Sequence, residues 1–366
     1  MPLPEPRGPL SRALLDRLRA APGDVGDAVR TASIHAVDSA PAWQDEDLQL
    51  SLSVCYELHY RGLPGVAAEW EWEPSLVAVA ATLERRYLDD LRALAPPPPV
   101  HDPADVPAAL RRLGEAEDGP PLARFLQREA TVEQFREFVV HRSAYHLKEA
   151  DPHSWAIPRL SGRPKSALVE IQADEYGAGR PGRMHAELFA MTMRALGLDA
   201  SYGAYLDAVP AVTLATVNAA SLFGLHRRWR GALVGHLAVL EMTSSLPNRR
   251  YGNGLRRLGF GPDATWFYDE HVEADAVHEH IAVNNLCGSL AAEEPELVGD
   301  ILFGAACCLA LDNLFAATLL DAWAGGRSSL RPGLHSDQLA ALGSPEPTAR
   351  SGRSGPAAGA RKPVLR

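Results

Sequence analysis

The chain has 366 residues, a formal charge of −10 and 46% hydrophobic residues, enough apolar content to fill one large or two modest cores without staples. From Arg327 onward seven basic residues face two acids, so the rest of the chain is strongly acidic, which argues against nucleic acid as the main partner. Cys55, Cys287, Cys307 and Cys308 form no Cys-x-x-Cys pair and no secretory leader opens the chain, which predicts a reduced, cytoplasmic protein; the apolar run 301–311, bounded by Asp300 and Asp312, is too short to cross a bilayer.

After a Pro-rich start, a short amphipathic helix is predicted behind Ser11 as its cap, with Leu14, Leu15 and Leu18 inward. A second spans 45–60 and stops near Gly62 and Pro64; a third follows Trp70–Pro74 with Leu76, Val77, Leu83 and Leu88 as its buried side. Four consecutive prolines, Pro96 to Pro99, and a Pro-, Asp-, Glu- and Gly-rich stretch holding one short helix at 108–113 place a boundary at residue 121. The periodic pattern resumes at Leu122 and runs through Phe135 and Phe138 toward Glu149, where Asp151-Pro152 is expected to end the helix. Further helices are predicted over 165–176, 184–196, 200–209, 212–222, 227–244, 252–258, 268–291 and 294–323, and no alternating pattern with Asn-Gly turns marks a hairpin. The class is all-α, with 122–326 as the main bundle and 327–366 as a basic tail whose Gly, Ser, Pro, Arg and Ala content predicts disorder.

Residues 267–281 read FYDEHVEADAVHEHI. Offsets of four and seven return to one helical face, so His271, Asp275 and His278 share a strip. Imidazoles with a carboxylate suit iron, manganese or zinc. A solvated face is the alternative, because Glu270, Glu273, Glu279 and His280 make the whole segment polar. A two-metal site needs further acids and histidines. Upstream, Glu149 in HLKEADPH, Glu175 in EIQADEYG and His185 in RMHAELF stand in apolar surroundings, although their spacing does not pair them. Glu241 lies in an apolar helix, where a lone carboxylate is costly to bury; it is either an added ligand or neighbour of the metals, or a paired core acid.

The order Glu149, Glu175, His185, His271, Asp275, His278 resembles the ligand set of the heme-oxygenase-like diiron oxidases and oxygenases, and the wording around the ligands is similar to actinobacterial iron-containing redox enzymes of that group. The resemblance covers about 122–323. It implies a seven-helix bundle preceded here by an N-terminal helical extension, two Fe(II) per chain, O2 as cosubstrate and an external electron donor. His185 and His271 with a carboxylate would hold one iron, Asp275 with His278 the other, with Glu149 and Glu175 binding or bridging. The implied chemistry is N-oxygenation, desaturation or C–C cleavage of a small amine- or amino-acid-type metabolite in bacterial specialised metabolism. Oxidative decarboxylation of a fatty acid and non-catalytic iron binding by a helical protein are the alternatives. The partner expected is a small-molecule substrate, with a homodimer as the candidate assembly. Arg159, Arg163, Lys165, Arg180 and Arg183 flank the ligand segments and either bind a substrate carboxylate or form a solvated face. Asp174, Tyr176, Tyr268 and Asn284 are the candidates for orienting the imidazoles.

Overall fold

The computed structural model describes residues 1–35, 40–115 and 119–333, apart from the side chains of 273–276. Among these residues the regular structure is helical throughout. Four helices come first: α1 (Pro9–Leu18), α2 (Gly26–His35), α3 (Glu46–Glu57) and α4 (Pro74–Leu94). Ser11 is not the cap of α1. It sits one turn inside, its hydroxyl accepting from the Arg7 and Gly8 amides, while Asp47 of α3 accepts from the Leu10 and Ser11 amides at 2.8 and 2.7 Å. The orphan donors of one helix are thus satisfied by the next. In α4, Val77 points outward and Val79 takes the buried place expected for it, since the inward strip follows 76, 79, 83 and 87.

The bundle proper runs α5 (Val106–Glu115), α6 (Leu122–Arg128), α7 (Val132–His146), a single turn α8 (Asp151–Ser154), α9 (Gly162–Glu175), α10 (His185–Ala195), α11 (Ala211–Leu225), α12 (Arg230–Arg257), α13 (Pro262–His280), α14 (Ser289–Glu293) and α15 (Val298–Ala324). A π-helical stretch, Ile281–Gly288, joins α13 to α14. Asp151-Pro152 does not end a helix. It opens α8, because proline is tolerated in a first turn, and α7 has already stopped at His146. The segment 200–209 forms successive turns rather than a helix: Asp199 accepts from the Ser201 amide at 2.8 Å and Gly203 has φ +78°. The two helices expected at 227–244 and 252–258 are one, α12, which continues through Pro247 because its first half packs along α15 and its second half is clamped by Arg257 donating to the carbonyls of Gln127 and Ala130.

Helices α11, α12 and α15 carry the core. On α11 almost every residue is buried, including Asn218, whose amide donates to the Gln49 backbone and side-chain oxygens at 2.9 and 2.8 Å. Tyr87 of α4 donates to the Ala215 carbonyl at 2.6 Å, so the N-terminal helices share one core with the bundle. Helix α15 corrects the expectation about bilayer length: within Pro295–Ala324 it is long and apolar enough to cross a membrane, yet more than half of its apolar 18-residue stretch is buried in the bundle. The first residues of the tail also pack, Ser329 donating to Glu137 and Leu330 lying buried; the tail from 334 on lies outside the described residues.

Beneath Ser329, His141 contacts Thr213 Oγ1 at 2.7 Å through Nδ1 and Ser329 Oγ at 3.1 Å through Nε2. Burial lowers its pKa from 6.5 to about 3, and lowers that of His236 to about 4. In the unfolded chain both take a proton below about pH 6.5, so the unfolded state binds more protons and stability falls with pH from there toward 4. Each histidine contributes a loss of about 1.4 kcal/mol per pH unit. Urea unfolding of the metal-free protein at pH 7, 6 and 5 is expected to show this slope, and His141→Gln to flatten it by one histidine's share.

Candidate metal centre

Glu175 is the last residue of α9 and His185 the first of α10. Between them the chain doubles back through Gly177, whose φ is +63° and where a Cβ would stand 2.6 Å from the Arg183 carbonyl carbon. That close approach needs glycine, and it brings His185 Nδ1 to 2.9 Å from Glu175 Oε2. Helix α13 adds the other two histidines. Seven residues apart, they lie about 10.5 Å apart along the axis, so His271 and His278 share a face but serve different places.

Two clusters result. Glu149, Glu175, His185 and His271 bring one ligand atom each within 4.8 Å of one another, and so do Glu175, Glu241 and His278. Glu175 belongs to both. Glu241 of α12 sits with its carboxylate 3.3 Å from His278 Nδ1, a position compatible both with a place among the candidate ligands and with a paired core acid. Glu149 lies in the turn after α7, 3.7 Å from His271 Nε2. The backbone of Asp275 lies on α13 between the two histidines, and its side chain is outside the described residues.

Hydrogen bonds behind the imidazoles set which nitrogen faces inward. His271 Nδ1 donates to the Phe267 carbonyl at 2.8 Å, leaving Nε2 toward Glu149. His278 Nε2 contacts Asp174 Oδ2 at 3.0 Å, leaving Nδ1 toward Glu241. This is the carboxylate–histidine support that metal ligands use. Asp174 therefore does what was expected of it. Tyr176 and Asn284 do not: Tyr176 donates to Asp151 at 2.9 Å, and Asn284 accepts from Arg111 at 3.0 Å. Tyr268 has a buried hydroxyl without a protein partner on the wall of the adjoining cavity.

His146 was not foreseen. Its Nδ1 donates to Glu149 Oε1 at 2.7 Å, and its ring packs against Phe189 and Phe267. The only sequence signal was its place three residues before Glu149 in HLKE, and that spacing is ordinary on a helix.

Burial alone would raise Glu149, but the His146 and His271 imidazoles outweigh it and hold its carboxyl well below the usual range. For His278, burial lowers the pKa, and the carboxylates of Glu241 and Asp174 more than reverse this, to about 9. His185 is likewise raised, burial opposing and Glu175 prevailing. Three buried or nearly buried carboxylates, Glu149, Glu175 and Glu241, thus crowd a space where imidazoles stand beside each of them. Glu149 Oε2 is buried without a hydrogen-bond partner, and the close pairs His185 Nδ1–Glu175 Oε2 and His278 Nδ1–Glu241 lack the geometry of a hydrogen bond, although buried polar atoms normally have one. Two clusters of carboxylate and imidazole atoms whose mutual contacts fall short of hydrogen bonds fit divalent-cation binding.

A cavity of about 880 Å3 opens beside the clusters. Its walls include Glu149, Glu175, Glu241 and His271 at one end, apolar Leu240 and Met242, and the exposed Arg124. None of Arg159, Arg163, Lys165, Arg180 and Arg183 lines it; Arg159 donates to the Gly224 and Leu225 carbonyls and Arg163 to Asn285, so the first two have structural roles. The thiols are buried, and burial pushes Cys55 up to about 12 and the other three higher still, which leaves them as packing residues.

Residues 136–313 match the family model described as iron-containing redox enzyme. That span holds Glu149, Glu175, His185, Glu241, His271, Asp275 and His278. No curated protein matches the chain.

Proposed function

From a chain whose residues 136–313 belong to the iron-containing redox enzyme family, we infer a cytoplasmic nonheme diiron oxidoreductase that uses O2 to oxidise a small amine- or amino-acid-type metabolite. The observation that supports two ions rather than one is the sharing of Glu175 between two clusters of buried ligand atoms. Glu149, His185 and His271 would hold one iron, Glu241 and His278 the other, and Glu175 would serve both. Asp275 joins the second set by the family resemblance alone. Fe(II) held by these residues would supply electrons for the reduction of O2, with an external donor to restore them.

The protein's own part is to hold and shield. His146 and Asp174 orient a carboxylate and an imidazole. Phe189 and Phe267 seal the centre from the α10 side by packing on each other with ring centroids 5.0 Å apart. The cavity admits a molecule of metabolite size, and its acidic end favours a substrate that presents an amine to the metals. A second reading, oxidation of a fatty chain, is supported by the apolar wall around Leu240 and Met242.

An anaerobic Fe(II) titration of the metal-free protein followed by mixing with O2 tests the proposal. Two irons per chain are expected, with O2 consumption accelerated by an amine or amino acid. Acceleration by a fatty acid instead selects the second reading. Tight binding of two irons without substrate-coupled O2 uptake would identify an iron-binding protein that is no oxygenase.

A further inference from the structure

Glu149 stands apart from the other candidate ligands because no helix carries it. Helix α7 ends at His146; the Lys148 and Glu149 amides reach only the Tyr145 and His146 carbonyls, at 2.9 and 3.4 Å, and Ala150 reverses the chain at φ 71°. A turn of this kind has no ladder to keep its side chains in place. We propose that the N-terminal segment clamps this turn through Arg61 and Tyr60, and so positions Glu149 for the metal; the inference rests on the metal reading above.

On one side the turn is held from within the bundle, where Gln172 donates to the Ala150 carbonyl at 2.9 Å. The opposite side is held by residues 57–61. Arg61 Nη2 donates to the Leu147 carbonyl at 3.2 Å, and the same guanidinium lies 3.7 Å from Asp151 Oδ2. Its carbon sits 4.3 Å over the Tyr202 ring, and Tyr202 in turn donates to Glu57 at 2.7 Å. The Lys148 ammonium, buried, lies 4.3 Å over the ring of Tyr60, whose hydroxyl donates to Ser221 at 3.3 Å. The clamp itself is anchored: Gly62 takes φ +68° and its amide closes onto the Glu57 carbonyl at 2.9 Å, the left-handed stop that fixes a helix end.

Leu147, Lys148 and Asp151 surround Glu149 in the chain, and each is tied to Arg61 or Tyr60. These partners lie before residue 136, outside the span shared with the family. The extension is therefore part of the metal centre's support, and its influence falls on the cluster containing Glu149 while sparing Glu241 and His278, which α12 and α13 position.

Anaerobic Co(II) titration of the full metal-free chain is the test, read by visible absorption and stoichiometry, with thermal unfolding alongside. The unmodified protein is expected to take up two ions and Glu149→Gln to lose one step. Arg61→Ala and Lys148→Met should weaken that same step about tenfold, the lower range for residues supporting a ligand. The other step and the metal-free unfolding midpoint should stay near the unmodified values, and Arg61→Lys should recover part of the loss. Two unchanged steps in both variants would overturn the inference. So would equal weakening of both steps with a lowered midpoint, which marks general stability. If the unmodified chain takes up no Co(II), the metal reading itself falls and takes this inference with it.

Discussion

Glu175→Ala is expected to abolish stable uptake of both metal ions, whereas Glu149→Gln and Glu241→Gln each impair one. Glu175 is the only residue common to the two clusters, and its removal also strips His185 of the carboxylate 2.9 Å away. Loss of a direct ligand should exceed the effect of its supporting partners, so a fall of more than about 100-fold in affinity is expected for each ion. The measurement is the Fe(II) titration with iron quantified per chain after gel filtration. The fold should survive, because the substitution removes a buried acid from a crowd of acids and opens no apolar void. A Glu175→Ala protein that still holds two irons tightly would show that the clusters do not share their central ligand, and the two-metal centre as drawn would fail.

Gly304→Val is expected to unfold or severely destabilise the protein, and Gly235→Ala to do the same in milder form. Where α12 crosses α15 the backbones touch reciprocally: a Cβ on Gly235 would stand 1.8 Å from the Ile301 carbonyl oxygen, and one on Gly304 1.9 Å from that of Ala232. Neither neighbour can yield, since both are backbone atoms within helices. The helices must then separate, and overpacking of this sort costs about 1–3 kcal/mol for a single methyl, more for a branched side chain. Urea midpoints report the loss. Because Glu241 lies six residues beyond Gly235 on α12, Gly235→Ala should also weaken the ion held by Glu241 and His278. Unchanged stability in Gly304→Val would mean that the two helices do not meet as closely as described.

Helical character was readable from periodicity alone, and the long elements were placed well: the pattern predicted for 184–196 became α10 and that for 294–323 became α15. Errors came where local signals compete with packing. A gap was expected between residues 244 and 252, but α12 runs through it, Pro247 included, because neighbours hold both halves. Turn residues near Gly203 lost to a helical pattern in the reading and won in the fold, since side chain–backbone bonds such as Asp199 to Ser201 are invisible to periodicity.

By itself the sequence determined the all-α class, the apolar stripes and one fragment of the site, the face shared by His271 and His278, because a helix converts spacing directly into direction. Glu149, Glu175 and His185 could be picked out by their residue types and by resemblance, yet nothing in their spacing joined them. Only the tertiary structure decided that. Glu175 and His185 meet because Gly177 lets the chain fold onto itself, Glu241 arrives from a helix packed against α13, and His146 and Asp174 reach the candidate ligands Glu149 and His278 across distances that exist only in the folded chain. A ligand cluster is a statement about convergence in space, and convergence depends on how helices cross and how turns are braced, which one-dimensional spacing does not encode.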